Sequence, residues 1–212
     1  MSGSFKGAIE AIADAIKKNK DYLTDLDRAI GDADHGINMA RGFEAVMTKL
    51  NSLESIDLAY GLRQIAMTLI STVGGASGPL YGTAFLRSSK VVQGKNTIDA
   101  QLALSVFRAA IDGIEERGKA AEGDKTMVDA LEPAYRAFEK TLNSGGNLLD
   151  CLKAARDAAQ QGVEYTKTIT ARKGRASYLG ERSIGYQDPG ATSVLVILDA
   201  LYQYEKKVRE EG

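Results

Sequence analysis

The sequence predicts an all-α protein, a single domain over residues 1–212, and three observations predict it. Apolar residues recur at helical spacing from one end to the other. Only three prolines occur, and two of them stand where a helix would begin. No two runs of alternating apolar and polar residues are joined by a hairpin turn.

Taken in order, Phe5, Ile9, Ile12 and Ile16 fall on one helical face, with Glu10, Lys17 and Lys18 available for the other. Similar periodicity covers residues 37–50, 57–72, 80–92, 99–118, 127–142 and 148–169. Val194, Leu195, Leu198, Leu201 and Tyr202 repeat it near the C-terminus, so eight helices are expected. Pro79 and Pro189 suit a first helical turn, where a missing N–H costs nothing. Pro133 should interrupt or kink the sixth helix unless it sits in its first turn. No low-complexity linker or internal repeat divides the chain.

The bulk composition excludes several classes. With 44% hydrophobic and 26% charged residues, 212 residues can bury a sizeable core. Balanced charge, 27 basic against 28 acidic residues, gives no general attraction to nucleic acid. No apolar run approaches the roughly 18 residues of a membrane span. The opening Met1-Ser2-Gly3-Ser4-Phe5-Lys6 lacks a signal peptide's apolar stretch. Cys151 is the only cysteine, so no intrachain disulfide can form. A cytoplasmic protein without nucleic-acid or membrane partners is expected.

Glycine carries the functional signal. Many of the 22 glycines gather in four inter-helix segments, around Gly31 and Gly36, Gly74 to Gly78, Gly118 to Gly123, and Gly174 to Gly190. One glycine suffices to cap a helix; several per loop imply close backbone approach to a shared ligand. In the first segment Asp27, Asp32 and Asp34 lie within eight residues. Such hard oxygen donors suit Mg²⁺, Ca²⁺ or Mn²⁺ rather than zinc. An EF-hand is excluded, because Ile37 stands where its glycine is required and Phe43 where its glutamate is. The plain alternative makes Asp32 or Asp34 a helix cap. His35, the only histidine, is a candidate for a ligand contact or for a phosphohistidine.

The second segment, Val73 to Pro79, leads into a helix with Ser77 or Gly78 as cap and Pro79 as its first residue. Exposed N–H groups at such a start bind phosphate. It is no Walker A loop, since no Lys-Ser/Thr pair follows. In the third, Asp124 is the candidate cap, and Met127 is either core or a thioether against an adenine ring. The fourth, Arg172 to Gly190, is the longest loop and carries four basic residues suited to phosphate. Tyr178 and Leu179 argue against a merely solvated loop, and Asp188-Pro189-Gly190 caps the last helix.

Together, Gly31-Asp32-Ala33-Asp34-His35-Gly36, Gly74-Gly75-Ala76-Ser77-Gly78-Pro79, Gly123-Asp124-Lys125-Thr126-Met127 and Ala171 through Thr192 closely resemble the nucleotide-binding L subunits of bacterial dihydroxyacetone kinases. The resemblance implies an antiparallel eight-helix barrel with the nucleotide in the loops at one end. It implies that Asp27, Asp32 and Asp34 coordinate two Mg²⁺ ions. It implies nucleotide contacts at His35, Gly36, Ile37, Asn38, Ala76, Ser77, Gly118, Met127, Arg175, Asp188, Pro189 and Gly190. It implies tightly bound ADP/ATP that takes a phosphoryl group from a phosphocarrier M subunit of a phosphotransferase system, phosphoenolpyruvate being the ultimate donor. The group then passes to dihydroxyacetone on a K subunit. A chain without a fused substrate domain favours this relay. The alternatives are an ATP-exchanging kinase module for another small molecule, and a nucleotide-sensing binding protein that regulates a partner such as a transcription regulator.

Overall fold

The structure, a computed structural model, describes residues 4–52 and 57–211, so Met1 to Gly3 of the N-terminal reading lie outside the described residues. Within them run nine α-helices: α1 (Phe5–Lys18), α2 (Lys20–Ile30), α3 (His35–Asn51), α4 (Leu58–Thr72), α5 (Ser77–Val91), α6 (Ala100–Gly118), α7 (Val128–Asn143), α8 (Leu148–Thr166) and α9 (Pro189–Glu211). One 3-10 helix, Arg175–Ser183, precedes α9, and no strand occurs among the described residues.

The nine helices form eight staves. Asn19 is at once the C-cap of α1 and the N-cap of α2, so these two make one broken stave. Around the ring each stave packs on the next, from α1/α2 to α3, α4, α5, α6, α7, α8 and α9, and α9 closes back on α1. Because consecutive staves run antiparallel, α3, α5, α7 and α9 all begin at the end where α2, α4, α6 and α8 finish. One apolar core fills the interior and draws on α1 through α9, with Ile16, Leu23, Phe43, Ile65, Ile111 and Phe138 among its most buried members. The ring is not packed solid. An apolar cavity of about 230 Å³ remains, bordered by Tyr81, Phe85, Phe107, Phe138 and Leu201.

α2 was not expected from the sequence. Its buried face is Leu23, Thr24, Asp27 and Ile30, so two polar residues interrupt the apolar period. Pro133 lies beyond the first turn of α7, yet the helix runs on to Asn143. Proline at 133 leaves the Asp129 carbonyl without its usual partner four residues on. α8 approaches closely at that point: a Cβ at Gly162 would collide with the Asp129 carbonyl oxygen and come within 2.9 Å of the Ala130 Cα. Backbone cannot yield as a side chain does. Gly162→Ala is therefore expected to lower stability by about 1–3 kcal/mol, measurable as a drop in Tm.

The side-chain caps segregate by end. At the end away from the glycine loops, α1, α4, α6 and α8 are capped by Ser4, Asp57, Asp99 and Asn147, each accepting from a backbone N–H. At the other end, the residues before α3, α5 and α7 are Asp34, Ala76 and Met127, and none makes a side-chain cap bond. Of the helices that begin there, only α9 is capped by the residue directly before it, Asp188 Oδ2 accepting from the Ala191 N–H at 2.7 Å; the first N–H of α3 goes to Asp27 Oδ2 and that of α7 to Thr126 Oγ1. Asp34 thus occupies a cap position without capping. The expected caps Ser77, Gly78 and Asp124 are replaced: α5 begins at Ser77, so Pro79 is its third residue rather than its first, and Asp124 accepts instead from the Ala121 N–H.

Candidate functional site

Helix N-termini without side-chain caps present free N–H groups and the positive ends of helix dipoles. The starts of α3, α5 and α7 open into one cleft of about 540 Å³ at the glycine-loop end, a size that suits a nucleotide, although the first N–H groups of α7 are already taken by Thr126 Oγ1 and by the Thr126 and Met127 carbonyls. All three non-glycine residues with left-handed φ among the described residues, Ala33 (61°), Lys119 (49°) and Lys125 (61°), also lie in loops at this end. Strained backbone of this kind gathers at ligand sites.

Asp27, Asp32 and Asp34 come together at one wall of the cleft, each offering a carboxylate oxygen within 4.8 Å of the others. Asp27 is the buried member and Asp32 the exposed one. Asp27 Oδ2 accepts from the Asp34 N–H at 2.9 Å and the His35 N–H at 3.2 Å, which ties α2 to the start of α3. Oδ1 stands so close over Gly31 that a Cβ there would collide with it. Asp32 pairs with Arg175 (Nε to Oδ2, 2.6 Å), which links the 3-10 helix to the aspartate loop. Three convergent carboxylates fit a hard divalent cation that keeps room for phosphate oxygens.

His35 points inward and is buried. Its Nδ1 lies 3.1 Å from Ser77 Oγ and its Nε2 3.1 Å from Ser193 Oγ. Ser193 Oγ donates to the Gly190 carbonyl (2.9 Å), so it accepts from its other two neighbours, Tyr81 OH (2.8 Å) and His35. This places the ring proton on Nε2 and leaves Nδ1 to accept from Ser77. Burial pushes His35 down, against the pull of Asp27 and Asp34, and pushes the Tyr81 hydroxyl up. Both ring nitrogens are engaged, so the imidazole braces the starts of α3, α5 and α9 and leaves neither nitrogen free to take a phosphoryl group.

The remaining expected residues divide. Asn38, Ala76, Ser77, Gly118, Met127, Arg175, Asp188, Pro189 and Gly190 all line the cleft, with His35 and the aspartates. Gly36 and Ile37 are not among the lining residues: Gly36 is pressed against α2 and Ile37 is 48% exposed. Arg41 donates to Asn38 Oδ1 (2.7 Å), which turns the Asn38 amide nitrogen toward Gly74. Met127 and Gly190 meet where α7 and α9 begin: a Cβ at Gly190 would lie 3.5 Å from the Met127 nitrogen. Tyr178 is 85% exposed, contrary to its reading as a packed residue, while Leu179 packs on Ile30, Ala171 and Ala176. Sequence reasoning missed Arg117 in the lining and Tyr81 and Ser193 beneath it, and it gave no role of their own to Lys125 and Lys173, which also line the cleft. The basic residues carry no local motif, and Tyr81 and Ser193 read as ordinary helical positions.

Asp188 is buried, and burial together with Asp129 and Asp27 raises its carboxyl to about 7, against the Ala191 N–H and Lys125, which lower it. A folded-state value above the unfolded one gives stability that is present below about pH 4 and lost as pH rises through 7. In protein freed of metal and nucleotide with EDTA, Asp188 should lower Tm from pH 5 to pH 8, against the rise contributed by the depressed His35. Asp188→Asn keeps the cap and should flatten that slope; parallel profiles would refute the assignment.

A helical barrel with a carboxylate trio beneath uncapped helix starts is a phosphate-handling fold of kinase type. The DAK2 domain family matches residues 29–203, and the chain belongs to that family. It is 46% identical over 188 residues to the ADP-binding subunit DhaL of the PEP-dependent dihydroxyacetone kinase of Escherichia coli, covering 89% of this chain and 90% of that protein. It is 42% identical over 188 residues to the ADP-binding subunit DhaL of the PTS-dependent dihydroxyacetone kinase of Lactococcus lactis, again covering 89% and 90%. Among solved structures it is similar to the dihydroxyacetone kinase from C. freundii in complex with AMP-PNP and Mg²⁺, with a TM-score of 0.72 and 29% identity. That likeness covers 93% of this chain and 33% of the larger kinase chain. No helix among the described residues is long and apolar enough to cross a membrane.

Proposed function

We propose that this chain is the ADP-binding subunit of a phosphotransferase-system-dependent dihydroxyacetone kinase. Its resident ADP accepts a phosphoryl group from a phosphocarrier M subunit and passes it to dihydroxyacetone on a K subunit, giving dihydroxyacetone phosphate. The observation that carries this reading is the convergence of Asp27, Asp32 and Asp34 with the starts of α3 and α5 in one nucleotide-sized cleft. The relay is favoured over free ATP exchange by the two relatives named as PEP- or PTS-dependent ADP-binding subunits, which match along about nine-tenths of their length. The single-chain kinase matches at lower identity over a third of its own.

On this reading the chain is one nucleotide-binding domain working in the cytoplasm, and the three aspartates hold two Mg²⁺ ions, which supply neutralisation of the phosphates when bound. The protein's own part is positioning. The starts of α3 and α5 offer N–H groups and dipoles to phosphate oxygens. Arg175, paired with Asp32, is placed to turn its guanidinium to a phosphate at the same wall. Met127, Gly118, Pro189 and Gly190 line the same cleft, with the Met127 thioether as the contact suited to the base. No side chain here serves as nucleophile: His35 is engaged at both nitrogens, and Cys151 is buried beside the Gly146 carbonyl.

The test is exchange. Purified protein should carry ADP that a phosphorylated phosphocarrier converts to ATP and that excess labelled ATP does not displace. Turnover of dihydroxyacetone with a K subunit and free ATP alone would overturn the relay.

A further inference from the structure

The Gly123–Met127 turn buries a charged group at the floor of the cleft. Lys125 is 1% exposed and sits in the left-handed region. Its Nζ donates to the carbonyls of Thr166, Ser183 and Tyr186, each at 2.6 Å, with the Ile169 carbonyl at 3.3 Å. Three short bonds use the three protons of an ammonium. A neutral amine has only two, and its lone pair would face carbonyl oxygens. The cage therefore selects a cation, and it is built entirely from backbone.

Those carbonyls are scattered along the chain. Thr166 ends α8, Ile169 follows it, Ser183 ends the 3-10 helix, and Tyr186 lies two residues before Asp188. One ammonium thus gathers both roots of the strap that runs over residues 167–188. Further bonds close the same base: Gly185 N–H to the Lys167 carbonyl (2.7 Å), Arg172 N–H to the Asp124 carbonyl (3.0 Å), and Asp188 N–H to Thr166 Oγ1 (3.0 Å). The far part of the strap is held differently. Arg175 reaches Asp32 through an ion pair whose side chains are 69% and 39% exposed, and exposed pairs hold weakly.

We propose that Lys125 is a positioning residue, a built-in cation that fixes the roots of the 167–188 strap so that nucleotide is released by movement of its Arg175 tip while Asp188-Pro189-Gly190 stays in place. This rests on the cleft being a nucleotide site. Without Lys125 the floor and the strap loosen together, and a resident nucleotide becomes an exchanging one.

The experiment measures release of ADP, loaded with Mg²⁺, from the full chain and from Lys125→Ala and Lys125→Met. Both variants should release ADP at least about tenfold faster, the change falling in the off-rate. Added n-propylammonium, which restores stem and charge to Lys125→Ala, should slow release, whereas the isosteric n-propanol should not. Release within about twofold of the parent, or equal rescue by propanol, would overturn the proposal. Amide exchange in the unsubstituted protein gives a second reading that needs no variant. On nucleotide removal, Arg172, Gly185 and Asp188 should stay protected while Ser177 in the tip exchanges faster; equal loss at root and tip counts against it. A parent protein that binds no Mg-ADP would instead remove the nucleotide reading, while the exchange pattern still decides how the strap is held.

Discussion

Asp27→Asn should leave the barrel folded and abolish magnesium-dependent nucleotide binding. The asparagine carbonyl oxygen can still accept from the Asp34 and His35 N–H groups, so the tie between α2 and α3 survives. The amide nitrogen then takes the place of Oδ1 in the cluster of three carboxylates. It is a donor, carries no charge, and is no ligand for a hard cation. A metal ion contributes several kcal/mol to phosphoryl chemistry, and each 1.4 kcal/mol is tenfold, so a loss of about 10²- to 10³-fold in Mg-ADP affinity and in phosphoryl transfer is expected. Stability should change by less than about 1 kcal/mol. Titration of ADP in excess magnesium, with thermal melts alongside, reads both quantities. Binding within about threefold of the parent would mean that the aspartates are not the metal site.

Gly36→Ala should damage fold and site at once. Gly36 lies in the first turn of α3, and a Cβ there would collide with the Lys20 carbonyl oxygen and lie 2.6 Å from Thr24 Oγ1 and 2.8 Å from the Thr24 nitrogen. The obstacle is largely backbone, so relief requires α2 to move away from α3. Asp27 rides on α2, while Asp32 and Asp34 lie between the two helices, so the same movement pulls the trio apart. Overpacking of this kind costs about 1–3 kcal/mol or somewhat more. At the upper figure Tm falls by roughly 6–12 °C for a chain of this size. Nucleotide affinity should fall with it, whereas Gly162→Ala, at the α7–α8 crossing, should lower Tm without separating the aspartates.

The fold class was legible because Ile9, Ile12 and Ile16, and Val194 and Leu198, form the buried faces that their spacing implies. The barrel and the location of the nucleotide loops followed from the family resemblance, and the ring of staves agrees with it. The break at Asn19 was illegible for a functional reason: the inner face of α2 gives a place to Asp27 that an apolar residue would otherwise occupy. The caps were misread because capping rules are local, whereas Ser77 is spent on His35, forty-two positions away. For the same reason Asp129, inside α7, accepts from the Gly123 and Thr126 N–H groups, and Asp124 caps no helix. Lys125 looked like any turn lysine, since its four partners are carbonyls supplied by segments distant in sequence. Aspartate spacing is visible in one dimension; a cage of backbone oxygens is not.

The central claim is that Asp27, Asp32 and Asp34 and the uncapped helix starts form one magnesium–nucleotide site. Calorimetric titration of nucleotide-stripped protein with ADP, in magnesium and in EDTA, tests it most directly. The account predicts one ADP per chain in magnesium and affinity at least about 100-fold weaker in EDTA. Equal affinity with and without the metal, or no binding in magnesium, would contradict it.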